Sequence, residues 1–116
     1  MGRGPVWEKS FAFAVRVVKL TKFLHKERRE FVLSKQVLRS GTAIGALVRE
    51  AEHAESKPDF THKMNIALKE ANETLYWLDL LHQSDYLTPD QYTSIYPDAE
   101  ELVKLLVSIV KTSRTK

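Results

Sequence analysis

Apolar residues recur at helical spacing along nearly the whole chain, in four blocks separated by short polar breaks. In the first block Phe11, Ala14 and Val18 share one stripe, and Phe13, Val17, Leu20 and Leu24 fall on a neighbouring one. Together they make an apolar face wider than one contact with a bundle core requires. The pattern predicts a helix over 8–25, either wedged between two others or covered in part by another subunit. The second block carries Leu33, Val37, Ser40, Ile44, Leu47 or Val48, Ala51 and Ala54 on its inward side and predicts a helix over 30–55. Gly41 and Gly45 sit four apart on one face of it, each costing about 1 kcal/mol against Ala in a helix interior. Close approach by a neighbouring helix is the simplest offset. The charged flanks and short apolar run argue against a membrane dimer of the GxxxG type.

Ser56-Lys57-Pro58-Asp59 is a tight break, and Pro58 fits the first turn of a new helix, where its missing N–H is not needed. The third helix is expected over 58–83, with Phe60, Met64, Ala67, Ala71, Leu75, Leu78 and Leu81 inward. So short a turn makes helices two and three antiparallel neighbours. Thr88-Pro89-Asp90-Gln91 reads as a helix start in which Thr88 caps, Pro89 takes the first position and Gln91 completes a capping box. The fourth helix, expected over 89–112, turns Ile95, Ala99, Leu102, Leu106 and Ile109 inward, with Val103 and Leu105 flanking. Pro97 removes the bond to Thr93 and crowds that turn, which predicts a kink or break. The polar residues from Thr112 to Lys116 are expected to fray.

The implied fold is all-α: an up-down antiparallel four-helix bundle occupying 1–116 as a single domain. Composition agrees. In 116 residues, 43% hydrophobic and 28% charged is an ordinary globular mixture, and four Gly with four Pro are too few for the turns of an all-β chain. The absence of Cys excludes disulfides, zinc fingers and thiol catalysis. No stretch approaches the roughly 20 apolar residues that span a bilayer. The start, Met1-Gly-Arg-Gly-Pro5, has no apolar signal core and, with Val6, lacks the myristoylation pattern. A cytoplasmic location is expected.

Catalytic signatures are sparse. Glu50/His53, Asp59/His62 and Asp79/His82 have the spacing of bundle metal ligands, but His53 and His62 flank one turn while His82 lies 20 residues from His62, about 30 Å along a helix. They cannot meet in one layer, and neither a metal nor another cofactor is expected. No Ser sits on a strained turn, no glycine-rich loop joins a strand to a helix, and Arg49 precedes His53 too closely for the Arg-x4-6-His signature of helical RNases. The chain reads as a binding protein rather than an enzyme.

Charge is the better lead. Residues 1–57 carry 12 Lys and Arg against 6 Asp and Glu, and residues 58–116 carry 6 against 9. Either two basic helices pack beside two acidic ones, or the basic half presents a polyanion-binding face. Arg16, Lys19, Lys22 and Lys26 are spaced three or four apart on helix one, Arg28 and Arg29 follow at the corner, and Lys35 and Arg39 begin helix two. Such a set can neutralise successive phosphates and release counterions. Glu27 and Glu30 fall inside it and blunt it, and no aromatic interleaving suggests base stacking.

Three segments carry a resemblance. The run from Leu33 to Gly45 (LSKQVLRSGTAIG), Ser56 to Phe60 (SKPDF) and Ala67 to Leu78 (ALKEANETLYWL) are similar to the characteristic stretches of the 23S rRNA-intervening-sequence, or four-helix-bundle, protein family. The resemblance covers nearly the whole chain. It implies a bacterial origin and a bundle assembled as a ring-like homo-oligomer, a homopentamer. It extends to a branch formed by accessory proteins of diversity-generating retroelements, whose basic pentamers contact a reverse transcriptase and nucleic acid. RNA or DNA, and a nucleic-acid-processing protein, are therefore the partners it implies besides the chain itself. Two positions depart from the family's pattern, with Ala43 where Ser is common and Leu47 where Asn is common. Pairing helices two and three about the turn near Ser56 sets position 43 opposite Glu70 and position 40 near Glu73. Those carboxylates, if turned inward, need a partner, and Arg39 is the best placed. A structural link joining Arg39 to Glu70 or Glu73 is expected. The alternative to a nucleic-acid adaptor is a structural or protein-partner module with no nucleic-acid role.

Overall fold

Turns at 29–32, 53–56 and 84–88 force each helix to run back along the one before it. The computed structural model describes residues 4–114; Met1 to Arg3 of the N-terminal stretch, and Thr115 and Lys116, lie outside the described residues. The order is α1 Pro5–Arg28, α2 Leu33–Glu52, α3 Lys57–Gln83 and α4 Pro89–Arg114, with no strand among the described residues. Each helix packs on the next in sequence, and α1 meets α4 more thinly to close a bundle of 46 × 20 × 19 Å.

Local chemistry sets the boundaries, and several differ from the sequence expectation. Helix α1 begins at Pro5 rather than near Glu8, because Pro5 at the first position needs no N–H partner and the Trp7 N–H reaches the Gly4 carbonyl at 3.0 Å. It continues to Arg28 rather than His25, and its basic last turn faces the negative end of the helix dipole. Helix α2 is shorter than the expected 30–55 at both ends. Its start is displaced by a cap described below, and past Glu52 the chain turns as the Glu55 N–H bonds Asp59 at 3.2 Å. The Ser56 hydroxyl caps α3 by accepting the Asp59 N–H at 3.2 Å. Thr88 and Gln91 form the reciprocal capping box at α4, with bonds of 3.1 and 2.9 Å. The last turns of α4 stay helical to Arg114, where fraying was expected.

The core comprises Phe13, Val17 and Leu24 of α1, Val37, Ile44 and Val48 of α2, Ala67, Ala71, Leu78 and Leu81 of α3, and Ala99, Leu102 and Leu106 of α4. Val110 is buried where Ile109 was expected, and Ile109 is half-buried. The two apolar stripes of α1 part company: Phe13, Val17 and Leu24 are internal with Leu20 half-buried, whereas in the other stripe Ala14 is half-buried and Phe11 and Val18 are exposed at 53% and 39%, joined by Val15, which was in neither stripe, at 39%.

Gly41 and Gly45 face α1. A Cβ at Gly41 would lie 2.8 Å from a Val17 methyl, and one at Gly45 would lie 3.3 Å from the Ser10 carbonyl oxygen. The two helices approach closely enough that no side chain fits between them at position 41. Small hydroxyl residues of α1 line the same contact, and each bonds within its own helix: Ser10 to the Trp7 carbonyl at 3.2 Å and Thr21 to the Val17 carbonyl at 2.9 Å.

Helix α4 continues through Pro97, so of the expected kink or break the break does not occur. Pro97 has no N–H to offer and crowds the preceding turn. Arg16 of α1 supplies donors there, reaching the Ser94 carbonyl at 2.9 Å, the Ser94 hydroxyl at 2.7 Å and the Asp98 carboxylate at 2.7 Å. Lys9 pairs with Glu101 on the same seam.

Substituting Gly41 tests the tight contact. Ala gains about 1 kcal/mol of helix propensity but overpacks the stiff, buried Val17 by about 1–3 kcal/mol. Gly41→Ala should therefore lower the free energy of urea unfolding by about 1 kcal/mol. The same change in a Val17→Ala background should cost nothing, and a stabilising Gly41→Ala in the native background would refute the contact.

Candidate nucleic-acid interface

The α1–α2 corner is built around one carboxylate. Arg29 takes the left-handed conformation (φ 54°) that ends α1, and the N–H groups of Arg29 and Glu30 both turn back to the Leu24 carbonyl, the second at 3.0 Å. The Glu30 side chain then folds onto the start of α2 and accepts the N–H groups of Val32, Leu33 and Ser34 at 3.1, 2.9 and 2.7 Å. The Ser34 hydroxyl donates to the Glu30 carbonyl at 2.9 Å. Burial pushes the Glu30 carboxyl up, but the bonds from Leu33, Ser34 and Val32 outweigh it and hold the group below its ordinary value. This carboxylate was expected to blunt the basic patch from a helical position. It lies instead before the helix, 8% exposed, with its charge satisfied by backbone donors and the helix dipole. Its three- and four-residue spacing to Leu33 and Ser34 is that of a capping acceptor, a signal hidden by starting the helix at Glu30.

The eight cations singled out from the sequence divide in two. Arg16 is committed to α4, and Arg39 to α3. Lys19, Lys22, Lys26, Arg29 and Lys35 are exposed, and none makes an ion pair among the described residues. Arg28 lies over the Tyr86 ring, 5.2 Å from its centroid, which leaves its charge uncancelled. Two apolar residues that break the helical pattern, Phe31 and Val32, are exposed at 56% and 72% between these cations. A further arginine, weighed in the sequence only for its spacing to His53, stands outside that set. Arg49 lies 4.8 Å from both the Trp7 and Phe11 ring centroids, and it continues the Gly41–Gly45 spacing that turns α2 toward α1.

Arg39 is brought together with both carboxylates named for it. It donates to Glu70 at 3.1 Å and to Glu73, and the Trp77 indole N–H also reaches Glu73 at 2.9 Å. Trp77 and then Arg39 hold the Glu73 carboxyl below its ordinary range, against a smaller upward push from burial. The group lies at the α2–α3 surface rather than inside the bundle, since the Arg39 side chain is 50% exposed. The buried polar contact of this seam is between hydroxyls, Thr74 donating to Ser40 at 3.0 Å.

The carboxylate and histidine pairs serve other ends. Glu50 pairs with Lys63 at 3.4 Å, Asp59 takes part in the α2–α3 turn, and Asp79 accepts the Tyr92 hydroxyl at 2.5 Å while His82 stacks on the Tyr92 ring. Among the described residues no group of three or more potential ligands assembles. A cavity of about 500 Å³ opens between the start of α1 and the end of α4, lined mainly by Val6, Trp7, Phe60, Met64, Leu105 and Ile109. Its lining includes no histidine, and the lining Ser113 hydroxyl is hydrogen-bonded to Thr61. No helix among the described residues is long and apolar enough to cross a membrane.

The family model for the 23S rRNA-intervening sequence protein matches residues 4–108, nearly the whole described chain. The chain belongs to that family. A solved structure, a protein of unknown function from the S23 ribosomal protein family of Bacteroides thetaiotaomicron VPI-5482, is 61% identical, with a TM-score of 0.90 over 91% of this chain and 98% of that one. No curated protein matches the chain. The segments that carried the resemblance hold the α2–α3 half of the bundle: the first half of α2 with Gly41 and Gly45, the capped start of α3, and the turns of α3 bearing Glu70, Glu73 and Trp77. The unpaired cations lie mostly outside these segments, with Lys35 the exception.

Two outcomes follow for this family member. Glu30→Ala leaves three backbone donors without their acceptor and should cost about 2 kcal/mol, near the top of the range for helix caps. Because the folded-state value for Glu30 lies below the unfolded one, its contribution is complete above the unfolded value and is lost as pH falls through the folded value. The gap between native and Glu30→Ala unfolding free energies should accordingly shrink in acid, below about pH 4.5; a constant gap would contradict the cap. For the surface link, a double-mutant cycle over Arg39→Ala and Glu73→Ala should return a coupling of about 0.5 kcal/mol, reduced at 1 M salt. Zero coupling at low salt would show that the contact adds nothing.

Proposed function

We propose that the chain is a non-enzymatic, self-associating cytoplasmic bundle that binds RNA or DNA phosphates at its α1–α2 end, as an adaptor for a nucleic-acid-processing partner. The observation that carries this reading is the set Lys19, Lys22, Lys26, Arg29 and Lys35, exposed and unpaired, with the carboxylate of Glu30 withdrawn into the α2 cap. Charges left over after the internal pairs are made are those available to phosphate. The family and relative bear names that refer to ribosomal RNA and to a ribosomal protein family, which favours RNA as the first polyanion to try.

Self-association is supported by the exposed Phe11–Val15–Val18 stripe of α1, together with exposed apolar residues on other helices, Tyr76 of α3 and Val107 of α4. Apolar patches on non-equivalent faces favour head-to-tail contacts, which close into a ring when the rotation permits. A homopentamer, as the family resemblance implies, is one such closure. The same stripe favours a second reading, a structural or protein-partner module in which the cations only keep the surface solvated.

Binding of RNA and of duplex DNA across a salt series, with mass measured by light scattering, separates the readings. The adaptor should bind with a log–log salt slope of about −4.5 on duplex, as for about five phosphates. Reversing Lys19 and Lys26 to Glu should weaken binding and flatten that slope while the oligomer persists. No binding at low salt would leave the partner module standing.

A further inference from the structure

The α1–α2 corner combines two things that duplex binding does not need: an exposed aromatic ring and a preset geometry behind it. Phe31 packs against His25 with ring centroids 5.0 Å apart and planes inclined by 36°, and more than half of its surface faces solvent. His25 is held in turn by Ser34, with Nε2 and the hydroxyl oxygen 3.1 Å apart. Since the Ser34 hydroxyl proton goes to the Glu30 carbonyl, the serine oxygen accepts from His25, which fixes the proton on Nε2. The Glu30 carboxylate anchors Ser34 through its N–H. Carboxylate, serine, imidazole and phenyl ring thus form one connected support, and the ring at its end is the exposed member.

Cations flank that ring along the chain. Lys26, Arg28 and Arg29 occupy the end of α1 and the residue after it, and Lys35 lies in the first turn of α2. The N–H groups that start α2 are already taken by Glu30, so an incoming phosphate must be met by side chains rather than by the helix end. A convex tip with an apolar ring among cations fits a base free to leave its neighbours, because a stacked duplex offers such a ring no face. Phe31 stands between Arg29 and Lys35 and so interleaves an aromatic with the basic run, against the expectation from the sequence that none does.

We propose that this corner binds single-stranded nucleic acid, an unpaired base stacking on Phe31 while Lys26, Arg28, Arg29 and Lys35 hold the flanking phosphates. The inference rests on the polyanion reading above and narrows it to unpaired strands. The test uses the full chain with fluorescein-labelled oligo(U) and oligo(dT) of about 12 nucleotides, a duplex of the same length, and phosphatidylserine vesicles. Single strands should bind at least tenfold more tightly than duplex at matched salt. Phe31→Ala should weaken single-strand binding about tenfold without altering its salt slope, because stacking is lost and charge is kept. Phe31→Trp should retain affinity, with indole emission that falls on adding oligonucleotide above the background of Trp7 and Trp77. Thermal unfolding of both variants checks that the bundle is intact. Equal binding of single strand and duplex, unaffected by Phe31→Ala, would overturn the stacking site and leave phosphate binding in place. Absence of binding to any nucleic acid at low salt would overturn both. Vesicle binding that depends on Phe31, with single-strand binding unchanged by Phe31→Ala, would reassign the corner to an anionic membrane surface.

Discussion

The carboxylate of Glu30 organises the end of the bundle on which the functional reading depends. It ends one helix and begins the next, taking three N–H groups at the start of α2 while its own N–H closes α1 on Leu24. Its negative charge is balanced by backbone donors and the α2 dipole rather than by a neighbouring lysine. That leaves Glu27 as the exposed carboxylate within the basic run, and it sets Ser34, and through it His25, in one orientation. A surface glutamate at the same position would have made a milder patch and a looser corner.

The other constraint is how closely α2 lies on α1. Helices whose side chains interdigitate stand 8–10 Å apart. Here Gly41 leaves no room even for a methyl group against Val17, and the contact is correspondingly sensitive to volume. The opposite seam differs in kind. Where α1 meets α4 the packing is thinner, Lys9 and Arg16 pair with Glu101 and Asp98, and the apolar cavity opens at the end of the seam. Part of the charge asymmetry between the two halves of the chain is therefore spent inside the bundle, basic α1 against acidic α4. The remainder is concentrated toward the α1–α2 corner, which is why position within the basic half matters more than the total.

Most of the fold was legible because the sequence states it redundantly. The caps at Ser56 and at Thr88 with Gln91, the inward residues of α2 and α3, and the paired glycines each carry a local signal that agrees with the pattern of apolar positions. Of the kink or break expected at Pro97 the break does not occur, and the turn before it is bonded at Ser94 by Arg16, a contact 78 positions long that no local rule encodes. The site was less legible for a related reason. Spacing lists Arg16, Lys19, Lys22 and Lys26 as equivalent, but only the fold shows that Arg16 is turned onto α4. Glu30 and Phe31 were obscured by a helix boundary drawn three residues early, and boundaries depend on side-chain-to-backbone bonds that hydrophobic periodicity does not encode.

The proposed self-association and polyanion binding would place different demands on α1, and the helix would separate them. The exposed stripe at Phe11, Val15 and Val18 lies in its first two-thirds, and Val18 stands ten residues before Arg28, about 15 Å along the axis. A second subunit covering the stripe leaves the corner open. Lys22 is the exception, because it continues the 11–15–18 spacing and so points along the same face. It is the one cation for which an apolar interface and a phosphate would compete, and desolvating it unpaired would be costly. Lys26, Arg29 and Lys35 lie beyond the stripe and escape that competition. On the proposed function, a bundle assembled through α1 would keep the corner free at the end of the long axis, where copies around a ring would present it side by side and where modest single contacts would add through effective concentration.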